Sequence, residues 1–289
     1  MHYPDIHRVL TQEPLAIVPT AHASWLSRFE AYLEFRSRSV ERVEQASSLS
    51  PLRFDAANRD VEIFGQTVER PQAEIEDGIM FLPVGGPVGR GLGKVEKACG
   101  CVDYSEILAD LDEMESDPNC RGCIILWDSP GGMVQGGNAV KNRILACEKT
   151  ILSHCEGLMG SQAYFLACCA DGVFATDDAR VGSIGVYCYA LDRSKQYADA
   201  GLKPLLITSG KYKGMGAPGI PMSKDQIELL QSEVDDLAEK FYTHVDDMRS
   251  GNVSREDMQG QVFTGEKAFA KGLIDDVVTG LDDVVALLK

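Results

Sequence analysis

Histidine is scarce in this chain of 289 residues: there are five, His2, His7, His22, His154 and His244. Three of them crowd the first 22 residues, and His244 falls in a long polar stretch with helical spacing. A histidine-based hydrolytic triad therefore has one candidate base, His154, which sits only seven residues before the serine it would have to serve. Positive charge is also short, with a net charge of −16. Such a surface lacks the basic stripe needed to neutralise phosphates, so no nucleic-acid partner is expected. Self-repulsion of this kind favours solubility. No run reaches the ~18 apolar residues of a membrane span, and the opening Met1-His-Tyr-Pro-Asp-Ile-His-Arg8 lacks the apolar core of a secretion signal. A soluble, cytoplasmic protein without a membrane partner is the expectation.

Nine cysteines, an odd number scattered through apolar stretches, fit reduced thiols better than a disulfide framework. Cys99/Cys101 and Cys120/Cys123 have loose four-thiolate zinc spacing. However, Cys123 lies inside the apolar run Gly122 to Trp127, and no glycine knuckle accompanies either pair. Neither a metal nor a cofactor is expected. The loop Gly85 to Gly93 is rich in glycine but lacks the Gly-Lys-Ser/Thr ending of a phosphate-binding P-loop.

What the chain does contain is a hydrophobic fraction of 44%, ample for a large core. Residues 1–70 read as an N-terminal arm and linker, with a helix over Ala23 to Phe35 followed by the polar, serine-rich stretch Arg36 to Pro51. Residues 71–289 read as the main domain. Strands are expected at Ile79–Val84, Cys123–Trp127, Thr150–Ser153, Val173–Thr176, Ile184–Tyr189, Pro204–Thr208 and Ile274–Val278. Helices are expected around Tyr104–Met114, Val134–Glu148, Ser161–Ala170, Gly265–Lys271 and Leu281–Leu288, with a long one from the N-cap Ser223 towards Met248. Alternation of this kind predicts an α/β architecture.

Three segments carry chemistry. Ser161 opens a helical run after the turn Glu156 to Gly160. A serine there has unpaired backbone N–H groups and the positive end of a helix dipole beside it, which suit a nucleophile and its oxyanion. The same position also suits an ordinary N-cap. Trp127-Asp-Ser-Pro-Gly-Gly132 ends a buried strand in a turn where an amide near Gly132 can approach a ligand closely. Ser209-Gly-Lys-Tyr-Lys-Gly214 offers Lys211 and Lys213 as bases. A lysine acting near neutral pH needs its pKa lowered by roughly two to three units. Spacing alone does not choose between these two, since residues two apart on an extended strand share a face.

Taken together, the Asp128-to-Gly132 turn, Ser161 with Ala163-Tyr164 and Leu166-Ala167, Gly182-Ser-Ile-Gly-Val186, Ser209-to-Lys213, and Phe263-to-Ala268 with Gly272-to-Asp275 resemble the signal peptide peptidase A family of Ser–Lys peptidases. The resemblance covers about Ile79 to Val278. It implies Ser161 as nucleophile, Lys213 as general base, Ser183 as the hydroxyl that holds the lysine amine, and amides near Gly132 and Ser161 as the oxyanion hole. It also implies a Clp protease/crotonase-like spiral of ββα units behind an N-terminal extension, and a homo-oligomer. Two features depart from the family pattern: Gln162 stands where glycine or alanine is usual, which would crowd the serine turn or narrow the cleft, and no anchor is seen. Soluble members with a polar extension are similar to phage and prophage head-maturation proteases. That implies scaffold, portal or capsid proteins as substrates, in the host cytoplasm or inside the prohead. Other readings of the resemblance are a soluble signal-peptide-degrading peptidase, a non-catalytic ring-forming protein and an acyl-CoA enzyme of the crotonase type.

Overall fold

The computed structural model describes residues 15–17, 59–63 and 66–289. The helix expected over Ala23 to Phe35 and the serine-rich connection after it lie outside these residues. Three parallel strands form the centre of the main sheet: β5 (Ile79–Gly85), β8 (Gly122–Ser129) and β10 (Thr150–Gly160). Both faces of these strands are covered, which is why their sequences are nearly continuous apolar runs. The sheet runs from β13 (Val262–Thr264) through β12 (Arg180–Gly182), β10, β8 and β5 to β4 (Glu74–Glu76). The outer strands β4 and β13 are antiparallel to their neighbours. The long β10 serves two neighbours on one side. Its first half pairs with β11 (Gly172–Ala175) and its last three residues with β12, while on the other side its ladder with β8 shifts register between Cys155 and Met159. β14 (Asp276–Val277) adds to β11.

A second, small sheet has the order β1 (Leu15–Ile17), β9 (Gly131–Met133), β6 (Val88–Gly89), β7 (Val102–Asp103). The chain thus passes twice from a long strand in the main sheet to a short strand in the small one and on to a helix. The first pass is β5, β6 and α2 (Tyr104–Ser116), with α1 (Lys94–Ala98) and β7 inserted; the second is β8, β9 and α3 (Gly137–Leu145). This is the expected α/β succession of ββα units.

Helix α2 starts where Asp103 and Glu106 form a reciprocal capping box. Its buried face presents Tyr104, Ile107, Leu111 and Met114 at helical spacing. Burial of each such side chain contributes about 2 kcal/mol. These residues pack with Met80, Leu82 and Val84 of β5, Cys123, Ile125 and Trp127 of β8, and the helix α4 (Gln162–Ala167). Alternate residues Ile79, Ile124 and Leu152 point to the opposite face and pack on Val284 of α8 (Leu281–Ala286). The end of α4 is pinned to the sheet by a relay: the Trp127 indole donates to Ser153 Oγ at 3.0 Å, and that hydroxyl donates to the Ala167 carbonyl at 3.1 Å.

The remaining helices are α5 (Ser194–Asp199), α6 (Lys224–Met248) and α7 (Gly265–Ala270). Ser223 caps α6 as expected, in a reciprocal box with Gln226. Only Phe241, His244 and Val245 of α6 are fully buried, so the packed part of this helix is its last two turns. Among the described residues, no helix is long and apolar enough to cross a membrane.

Two expected strands do not form. Residues 184–189 and 204–208 have no regular secondary structure beyond an isolated bridge at Tyr187. A strand needs a free edge, and β12 has both edges occupied, by β10 and β13. Leu205 and Ile207 are consequently 86% and 84% exposed.

Residues 59–63 and 66–70, expected to belong to the N-terminal arm, are tied to α2 through Arg59 and Arg70. A hairpin of β2 (Val61–Ile63) and β3 (Gln66–Val68) separates two buried arginines. Arg59 pairs with Asp110 and donates to the Pro83 carbonyl at 2.9 Å. Arg70 forks onto Glu106 at 2.8 and 3.2 Å, and Lys97 reaches the same carboxylate at 3.2 Å.

Candidate active site

Ser161 is the single residue between the end of β10 and the start of α4, and its backbone has φ 54° and ψ −119°. A side chain in that region costs about 1–3 kcal/mol, a strain that surrounding structure must enforce. The enforcing contact is visible. The β10–β12 ladder pairs Gly160 with Gly182, and the Ser161 amide then donates to the Gly182 carbonyl at 2.7 Å. On the other side, the Ser161 carbonyl accepts the first helical bond from Phe165 at 2.9 Å. The hydroxyl makes no cap hydrogen bond, so Ser161 is not an ordinary N-cap. Although the residue is 1% exposed, its Oγ makes just one long hydrogen bond among the described residues, donated to the Gly185 carbonyl at 3.5 Å.

Ser183 stands one residue beyond the paired Gly182, also at positive φ, 53°. Its amide donates to the Gln261 carbonyl at 2.6 Å. Ser161 and Ser183 both line a cleft of about 230 Å³, walled by Ile184 to Tyr187, Tyr242 of α6, and Gln259 and Gly260. The structure therefore brings together two of the expected residues in a largely apolar recess. Burial pushes the Tyr187 hydroxyl well above its ordinary pKa, so it stays neutral.

The other expected residues are placed differently. Gly132 lies in β9, between β6 and β1, in register with Val88 and Ala16. A Cβ there would fall 1.9 Å from the Val88 carbonyl, so only glycine permits this strand contact. Gly132 does not line the cleft. The Ser161 amide, expected as an oxyanion donor, is already spent on Gly182. The Gln162 and Ala163 amides, which open α4, lack helical partners by position. Of the two effects expected of Gln162, crowding of the serine turn or narrowing of the cleft, the second is not found, since Gln162 does not line the cleft. Its side chain is buried against Gly137 and hydrogen-bonds Tyr104, whose hydroxyl donates to the Met133 carbonyl. That chain ties the serine turn to β9.

Lys213 is exposed in the turn that follows residues 204–208, which form no strand, and is not among the cleft-lining residues. Lys211 pairs with Asp225 at 2.8 Å, which together with Tyr212 raises its pKa above the ordinary lysine value. It is thereby held as a cation. His154 alternates to the sheet face opposite α4, since its neighbour Ser153 is the residue that reaches Ala167. Its Nε2 lies 3.1 Å from Glu156, which also accepts the Leu281 amide. A His154–Ser161 triad is excluded by that orientation. Among the described residues, Cys99, Cys101, Cys120 and Cys123 form no group that could hold a metal.

Tyr242, Gln259 and Gly260 carry no spacing signal that would have revealed them as cleft residues; they reach Ser161 only through the packing of α6 and β13.

A profile of Peptidase family S49 matches residues 143–289. The chain is similar to capsid assembly protease C of Escherichia phage lambda, 29% identical over 217 residues, covering 74% of this chain and 49% of that protein. It is similar to the head-tail preconnector protein GP5 of Enterobacteria phage P21, 29% identical over 267 residues, 88% of this chain and 53% of the other. A third relative is the chloroplastic serine protease SPPA of Arabidopsis thaliana, 27% identical over 218 residues, 74% of this chain and 32% of the other. The chain thus spans from about a third to about half the length of these relatives. A solved ClpP1 mutant from Listeria monocytogenes overlaps 72% of this chain and 94% of its own, with TM-score 0.46 and 14% identity. With half of the chain matched by one family profile, the protein belongs to Peptidase family S49.

Proposed function

We propose that this protein is a serine endopeptidase in which Ser161 attacks the scissile carbonyl and Lys213 accepts its proton. The observation that carries the reading is Ser161 itself: strained, buried, relieved of any capping duty, and opening on a cleft beside Ser183. Strain of this kind is characteristic of nucleophiles on strand-to-helix turns. The acyl-enzyme forms as the amine leaves with the proton carried by Lys213, and water then releases the acid. The opening amides of α4 supply oxyanion donors. Ser183 orients the lysine amine.

Lys213 reaches the cleft, in this reading, by docking of the segment 201–213. Leu205 and Ile207 leave too much apolar surface uncovered for that segment to be at rest, and a neighbouring copy of the chain is the surface that covers it. An extended peptide substrate adds to the edge of β9, the edge that β1 occupies here in antiparallel register.

The phage relatives named as a capsid assembly protease and a head-tail preconnector support substrates among scaffold, portal or capsid proteins. Co-expression with the products of neighbouring genes tests this by intact mass. Processing by the wild type and none by Ser161→Ala supports it, whereas cleavage of signal peptides alone turns the assignment to a signal-peptide-degrading peptidase.

A further inference from the structure

Helix α4 begins at the serine turn and ends at two adjacent cysteines, Cys168 and Cys169, against which α6 inserts His244. All three are buried, at 3%, 7% and 4% exposure. Their sulfur and nitrogen atoms lie within 4.8 Å of one another. His244 Nε2 is 3.5 Å from Cys168 Sγ and 3.4 Å from Cys169 Sγ. The Phe165 carbonyl oxygen completes the group, 2.9 Å from Nε2 and 3.4 and 3.5 Å from the two sulfurs.

Two physical features distinguish this group from ordinary buried thiols. The first is spacing. Tetrahedral bonds of about 2.3 Å to sulfur and 2.0–2.1 Å to nitrogen or oxygen place a sulfur about 3.5–3.6 Å from either. All four sulfur separations match that figure within about 0.2 Å. Only the Nε2-to-oxygen distance is short, and it must open by several tenths of an ångström. The second is convergence. Both thiols are directed at the Phe165 carbonyl oxygen, and His244 Nε2 approaches that oxygen and both sulfurs, so four donor atoms meet in one buried site. A cation at the centre engages all four lone pairs at once. Thiolate and imidazole donors select a soft or borderline ion over magnesium or calcium.

We propose that Cys168, Cys169 and His244, with the Phe165 carbonyl as fourth donor, form a structural site for a thiophilic cation of the zinc type. Binding releases the two thiol protons, and the imidazole carries its remaining proton on Nδ1; no electrons are transferred. The ion joins the end of the helix that starts at Ser161 to α6, two residues from the cleft-lining Tyr242. The Phe165 ring already packs there on Phe241 and His244, with centroids 5.2 and 4.2 Å apart. The site is thus a staple behind the cleft and stands whether or not Ser161 is the nucleophile.

The test is titration of the reduced, chelator-stripped full chain with Zn²⁺ and, separately, Co²⁺. The expected result is about one ion per chain, a thiolate-to-cobalt charge-transfer band and a metal-dependent rise in Tm. His244→Ala is expected to weaken binding about tenfold or more, and Cys168→Ser/Cys169→Ser to abolish the band, while Cys99→Ser leaves it intact. Under denaturant that opens the metal-free chain, zinc should also protect two of the nine thiols from alkylation, mapped to residues 168 and 169. That mapping on wild-type protein decides the matter if the double variant does not fold. No charge-transfer band, or a band surviving in a folded double variant, overturns the site.

Discussion

The Ser161 amide donates to the Gly182 carbonyl across 2.7 Å, and this bond carries the sheet register past the end of β10 into the serine turn. Because the next residue of each strand is a serine at positive φ, one ladder sets the positions of Ser161 and Ser183 together. The arrangement leaves the Ser161 amide unavailable for an oxyanion and its hydroxyl uncommitted to the helix. Both consequences bear on the chemistry.

Ser161→Ala and Lys213→Ala should each lower kcat on a protein substrate by roughly 10⁴–10⁶-fold. Circular dichroism and Tm should stay near wild type, since neither side chain carries a structural bond of note. Full activity in either variant removes that residue from the mechanism.

Mixing these two inactive proteins should restore activity. If Lys213 acts on the Ser161 of a neighbouring copy, an equal mixture contains an intact pair at about a quarter of its interfaces. Recovery near that fraction is expected in a peptide-cleavage assay. Absence of recovery means the loop closes within its own chain.

Ser161→Gly should be inactive but more stable than Ser161→Ala by about 1 kcal/mol, because glycine carries no penalty at positive φ. Denaturant unfolding of the two variants measures the difference directly. Equal stability would place the strain elsewhere.

Glu106 links the linker to α2. Burial alone would raise its pKa, but the hydrogen bonds and charge of Arg70 outweigh this and hold it below the ordinary glutamate value. The ionised pair therefore stabilises the fold above about pH 4.3, and that contribution is lost as pH falls through the lower folded value. Glu106→Gln should cost about 3 kcal/mol at pH 7. The gap to wild type should narrow below about pH 4, as read by urea unfolding across pH.

Ala16 faces Gly132 across the β1–β9 pair. Ala16→Pro removes an amide and disfavours that pairing. If peptide substrates use the same edge, KM should fall severalfold while kcat is unchanged, since competition by the arm is removed. An unaltered KM would assign the edge to structure alone.

Much of this molecule was legible in the residue order because it depends on neighbours a few positions apart. The Ser223 N-cap, the apolar β8 and the helical face of α2 are local patterns with local causes. The expected strands at 184–189 and 204–208 failed for a non-local reason: both have the composition of strands, but β12, the strand just before them, already has β10 and β13 on its two edges. Gln162 looked like an obstruction of the cleft, and only the approach of Tyr104 and Gly137 shows that it points the other way.

Residue order alone dictated the alternation of strands and helices and the start of a helix at Ser161, whereas the turn expected over Glu156 to Gly160 is the continuation of β10. Tertiary structure decided which bonds the candidate residues already make: the Ser161 amide is spent, Lys211 is paired, His154 faces away, and His244 meets two cysteines about 75 positions earlier. Such facts arise from strand register and helix packing between distant segments. A pairing of that kind leaves no periodic trace in either partner alone.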